Sequence, residues 1–113
     1  MSDSIVIALS TCPDEPTAKA IAEALVKEGL AACVNRVPGV RSTYFWDGRL
    51  QDDAEILLII KTVAARLEEL TSRLVALHPY DVPEIVALRV IGGNEAYLRW
   101  VRQSVEKEGK SDE

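Results

Sequence analysis

Apolar and polar positions along this chain change period several times, and each change marks an element. IVIAL (5–9) is β-branched and apolar and predicts a first strand. TCPDEPT follows with two prolines and two acids, the chemistry of a helix start. Ala18, Ile21, Ala22 and Leu25 then recur at helical spacing, while Lys19, Glu23 and Lys27 make an exposed row. Gly29 stands where that helix should stop. From Leu30 the pattern becomes extended, through LAACVNRVPGVRSTYFW and RLQDDAEILLIIKTV, with Asp47-Gly48 between the two runs. An Asp-Gly pair there predicts a two-residue hairpin turn, because both turn positions need positive φ. Pro38-Gly39 inside the first arm predicts a bend or bulge, since proline cannot donate to a ladder. AARLEELTSRLVAL predicts a second helix with Leu67, Leu70, Leu74 and Leu77 on one stripe and Glu69 paired to Arg73. EIVALRVI (84–91) predicts a fourth strand, Gly92-Gly93-Asn94 a turn and cap, and EAYLRWVRQSVEKE a last helix.

The order β-α-β-β-α-β plus a terminal helix predicts an α+β, ferredoxin-like fold: an antiparallel sheet with two helices on one face. One domain over residues 1–113 accounts for the chain, ordered over about 5–106 with 107–113 as a flexible tail. The strands carry a further message. In EILLIIK, Ile56, Leu58 and Ile60 point one way and Leu57 and Ile59 the other. IVIAL and EIVALRVI are also apolar on both parities, whereas a sheet with one wet face should alternate. Two helices cover one face only, so the second face predicts self-association, sheet against sheet.

Composition narrows the partners. A net charge of -5 opposes nucleic acid, which requires a basic face. No apolar run approaches the roughly 20 residues of a membrane span. MSDSIVIALS lacks the basic start of a signal peptide, and two distant cysteines make no disulfide framework, which together predict an intracellular chain with free thiols.

Candidate chemistry is sparse. His78, the single histidine, precedes Pro79, so the second helix should end at about Leu77. Pro79 and Pro83 stiffen HPYDVPE and would aim His78, Tyr80 and Glu84 in fixed directions. From this loop alone His78 reads first as a helix-ending residue over the last carbonyls. Cys33, among the small residues of LAAC, reads as a buried inert thiol. Cys12, at a strand-to-helix turn, is placed where a thiolate would be favoured. Neither has a second ligand nearby in sequence, so a metal would need distant segments or several subunits. Lys61 and Glu84 suggest a pair between strands, structural or holding an anionic ligand. Tyr44 and Trp46 share a parity beside the hairpin turn, with Phe45 on the other, and Asp52-Asp53 reads as a solvated turn. No spacing supports a nucleophile with its base, so no enzymatic activity is expected.

TCPDE after the first strand, LAACVNRVPGVRSTYFWDGRLQDDAEILLIIKT, LHPYDVPEIVAL and YLRW together resemble the CutA divalent-cation tolerance proteins, from about Ile5 to Trp100. The resemblance implies a cytoplasmic homotrimer of ferredoxin-like subunits, similar in architecture to the PII nitrogen-signalling proteins. It implies a role in tolerance of copper and other divalent metals, bound in or near clefts between subunits. The positions carried over are Cys33, Tyr44, Trp46, Lys61, His78, Tyr80 and Glu84, with His78 and Cys12 as the metal ligands. Ser10 and Leu77 stand where some members have cysteine and a second histidine. The alternative is a PII-like module holding a small anion between subunits, against Lys61.

Overall fold

The computed structural model describes residues 3–106. The expected tail at 107–113 lies outside them. The order is β1 (Ile5–Cys12), α1 (Glu15–Lys27), β2 (Cys33–Trp46), β3 (Arg49–Val63), α2 (Ala64–Leu77), β4 (Val86–Arg89) and α3 (Glu95–Ser104). The four strands form one antiparallel sheet in the order β2-β3-β1-β4. That is the split βαβ arrangement, with β3 inserted between β1 and β2.

Local signals set the boundaries. Asp14 caps α1, its Oδ1 accepting from the Thr17 N–H at 2.9 Å, a contact worth about 1 kcal/mol. Gly29, at φ 73°, releases the chain from α1. Asp47 and Gly48 take φ 57° and 73° and turn the hairpin. The β2–β3 register slips between Val37 and Val40, so the bulge falls at Pro38-Gly39. Asn94 caps α3 through the Ala96 N–H.

One sheet face is closed by α1 and α2. Ala8, Leu58 and Ile60 from the strands pack with Ile21 and Leu25 of α1 and Leu70 and Leu74 of α2. Thr62, fully buried there, donates to the Leu30 carbonyl at 2.7 Å and ties β3 to the segment entering β2. α3 covers only one end of the other face, where Leu98, Val101 and Val105 pack on Ile5 and Val63. Beyond that end, Ile7, Leu9, Leu57 and Ile59 stay partly exposed, and Val86 and Leu88 are exposed. The two-sided strands thus leave an open apolar face in the single chain.

Three expectations change. β4 covers four residues rather than eight, because Glu84 and Ile85 leave the ladder and Val90 contributes one bond, to the Ile5 carbonyl. Arg73 does not pair with Glu69. It reaches across to Glu28 with two short contacts, 2.9 Å each, and Glu69 pairs with Arg66 instead. The guanidinium fork meets both oxygens of the Glu28 carboxylate, a bidentate contact stronger than a single charged hydrogen bond. α3 ends at Ser104, short of the full EAYLRWVRQSVEKE run. No helix among the described residues is long and apolar enough to cross a membrane.

Leu74 has no exposed surface and touches the closed core, whereas Val75 beside it is exposed. Leu74→Ala should therefore cost about 2–5 kcal/mol, and Val75→Ala about 0.5 kcal/mol or less, read from urea unfolding at fixed protein concentration. Equal losses would contradict this packing.

Candidate functional site: an acidic cleft beside the hairpin

β3 runs on past the end of β1, so residues 40–46 and 49–55 continue as a two-stranded ribbon. The HPYDVPE loop comes back alongside the base of that ribbon. Between them lies a cleft of about 630 Å³, lined by Thr11, Tyr44, Trp46, Asp53, Tyr80 and Glu84 among others. Ser42, Thr43, Glu55, Asp81 and Val82 complete the wall.

The end of β1 fixes the loop. Ser10, fully buried, donates to the Glu84 carbonyl at 2.7 Å, and Thr11 Oγ1 reaches Glu84 Oε1 at 3.5 Å. His78 ends α2 in an extended conformation, as Pro79 demands. Its Nδ1 accepts from the Tyr80 N–H at 3.2 Å, and its Nε2 lies 2.8 Å from the Thr11 carbonyl. A carbonyl only accepts, so Nε2 carries the proton and the imidazole is neutral. His78 is buried and both its ring nitrogens are occupied. It acts here as the bolt between loop and strand, and its ring stacks at a tilt on Tyr80, centroids 4.7 Å apart.

The phenols point at carboxylates. Tyr80 donates to Glu55 Oε2 at 2.7 Å, and Tyr44 donates to Asp53 Oδ2. Burial, then the bond to Glu55, pushes the Tyr80 phenol well above its ordinary range, and the bond to Asp53 raises Tyr44. Among the described residues the lining holds four acids, Asp53, Glu55, Asp81 and Glu84, and no Lys, Arg or His. Such a surface attracts cations and repels anions.

The positions named from sequence therefore divide. Tyr44, Trp46, Tyr80 and Glu84 line the cleft, and His78 holds its loop from behind. Cys33 and Lys61 are cross-strand partners on the open face, in one row with Ile7 and Leu88. Lys61 bonds Asn35, and Cys33 contacts the phenol of Tyr97, which burial and the thiol raise. Lys61 pairs with Ile7, four residues along β1 from Thr11, roughly 13 Å at about 3.3 Å per residue. The expected Lys61–Glu84 pair does not form.

Cys12 faces the closed core with no exposed surface, and burial followed by Glu55 and Asp14 raises its thiol to about 11. Among the described residues, no group of three or more His, Cys, Asp and Glu is gathered to hold a metal ion. Asp53 was expected to be a solvated turn residue but is a cleft wall. Glu55 was not singled out at all. Its one visible signal is an acid opening the apolar run EILLII at the parity of Leu57 and Ile59.

With this geometry in place, comparisons with known proteins identify the family. The family model described as CutA1 divalent ion tolerance protein matches residues 6–104. This chain belongs to that family. It is 51% identical over 98 residues to the divalent-cation tolerance protein CutA of Thermus thermophilus, spanning 87% of this chain and 95% of the relative. It is 48% identical over 99 residues to the chloroplastic CutA of Arabidopsis thaliana, covering 88% of this chain but only 54% of that longer protein. The crystal structure of CutA1 from Oryza sativa superposes with a TM-score of 0.90 at 44% identity, covering 95% of this chain and all of that one. The CutA1 fold is thus shared over nearly the whole chain, while the plant relative extends well beyond it.

For Cys12 the raised thiol has two consequences. Below pH 9.0 the thiol is protonated whether the chain is folded or not. Between there and about pH 11 the unfolded chain releases a proton that the folded chain keeps, so folded stability falls as pH rises through that window. At pH 8, iodoacetamide should leave Cys12 unmodified in the folded protein and label it in urea, read by peptide mass spectrometry. Rapid labelling of Cys12 without denaturant would contradict its placement.

Proposed function

We propose that this CutA1-family chain acts in divalent-metal tolerance as a homotrimer that holds divalent cations, copper(II) among them, in clefts bordered by neighbouring copies. The observation that carries the reading is the cleft whose only charged wall residues are acids. Oxygen donors suit hard divalent cations, and copper(II) binds most tightly of the first-row series at a given donor set. The described residues of one chain do not close a ligand set, so on this reading the ion keeps part of its water and a neighbouring copy supplies further donors. The thiol–imidazole pair Cys12 and His78 is set aside as the ligand set, because one side chain faces the core and the other is fully hydrogen-bonded.

Assembly is argued from the open face. Leaving Ile7, Leu9, Leu57 and Ile59 wet forfeits burial worth about 25 cal/mol per Å², and a second copy of the same face recovers it. A cytoplasmic place of action agrees with two cysteines that are both free. Binding rather than catalysis is inferred because the two phenols bonded to the cleft carboxylates are held in their protonated form, their ionisation pushed above the ordinary range. The alternative of an anion held between subunits is opposed by the acidic wall and by Lys61 lying outside it.

Calorimetric titration tests the metal reading. Copper(II) should bind the wild type, and the double variant Asp53→Asn with Glu84→Gln should bind at least tenfold more weakly, while Glu23→Gln on exposed α1 changes nothing. Equal affinity in the double variant and wild type would sink the cleft as the metal site. Light scattering should give three times the 12.4 kDa chain mass. A monomer at micromolar concentration would overturn the assembly argument.

A further inference from the structure

Glu55 is 6% exposed and forms part of the cleft wall. The only hydrogen bond its carboxylate receives from a described residue is the Tyr80 hydroxyl at Oε2, and Oε1 receives none. A carboxylate offers about four lone-pair sites, so within a single chain one neutral donor leaves most of them without a protein donor. The neighbouring charged wall residues, Asp53, Asp81 and Glu84, add negative charge rather than donors.

The shape of the cleft says what would compensate it. At about 630 Å³ it is far larger than a bare ion, and no compact cluster of metal ligands is present among the described residues. Tyr44, Trp46 and Tyr80 give it aromatic walls. Aromatic faces combined with carboxylates favour an ammonium group. The need of Oε1 for a donor selects an ammonium that still carries N–H bonds over a quaternary one. Carboxylates spread around the wall favour more than one positive centre on the same molecule.

We propose that the cleft binds an aliphatic diamine or polyamine, one ammonium donating to Glu55 and the hydrocarbon chain lying against Tyr44, Trp46 and Tyr80. This rests on the cation-selective reading of the cleft and extends it from metal ions to organic cations. The ligand competes with divalent metal for the same carboxylates, so each weakens the other.

Calorimetry of the full chain in its native oligomeric state, freed of metal by chelation and dialysis, tests this with putrescine and spermidine as probes. Saturable binding is expected, with butanediol, the uncharged analogue of putrescine, giving none at the same concentration. Glu55→Gln keeps the shape and removes the charge, and should weaken spermidine roughly tenfold to hundredfold. Trp46→Ala lies on the exposed ribbon and should weaken it roughly twofold to fivefold. Should Glu55→Gln fail to fold, Trp46→Ala and the diol comparison decide the matter. No saturable amine binding at millimolar concentration, butanediol binding as well as putrescine, or unchanged affinity in the variants that fold would each overturn the proposal. Loss of amine binding with copper(II) binding intact would overturn this inference alone; absence of both would overturn the metal reading too.

Discussion

The structure is organised by a mismatch in strand length. β3 has fifteen residues and its neighbour β1 has eight, so the β2–β3 hairpin outruns the sheet. Within the sheet, β3 is buried between β1 and β2 and carries the core residues Leu58 and Ile60. Past Cys12 it has only β2 beside it, and one flank of the ribbon is left without a strand partner. The HPYDVPE loop takes up that flank. Its position depends on the last turn of β1, where Ser10 and the Thr11 carbonyl anchor Glu84 and His78. A shorter β3 would leave no ribbon, and a longer β1 would fill the cleft.

What the sequence shows best is where the backbone is forced. Asp47-Gly48, Pro38-Gly39, Gly29 and His78-Pro79 each restrict φ at a boundary, and each boundary falls where it was expected. Side-chain partners are less legible because they depend on who lies across the gap. Glu69 and Arg73 satisfy the spacing rule for one helix, yet Glu28, the residue that ends α1, offers Arg73 a two-toothed contact the rule cannot see. The fourth strand shows the same limit. The apolar run EIVALRVI predicts a strand from Glu84, but the Glu84 carbonyl is taken by Ser10, and no pattern of apolar residues reveals a bond to a serine 74 positions away.

The candidate site was half legible for a related reason. The stiff loop and the aromatic pair Tyr44 and Trp46 stand out by composition. Glu55 and Asp53 do not, because a buried acid and a turn acid look alike until the ribbon is folded against the loop. The one histidine stood out most and proved to be structural support in this conformation, with a strand carbonyl and a backbone N–H using both nitrogens. Conspicuous residue types draw attention to chemistry, whereas hydrogen-bond satisfaction separates a ligand from a bolt.

Assembly and cleft cannot be independent. Within β1, Thr11 has the same parity as Ile7 and Leu9, and within β3, Glu55 and Asp53 have the parity of Leu57 and Ile59. The apolar rows of the open face therefore run directly into the rim of the acidic cleft. A copy of the chain that covers those rows also lies at the mouth of the cleft and changes how much water reaches Glu55. By linkage, whatever cation the cleft holds more tightly in the assembled state stabilises the assembly by the same free energy. On the proposed reading a cation would be a structural partner of the oligomer as well as its cargo, and the strength of self-association would report whether the cleft is occupied.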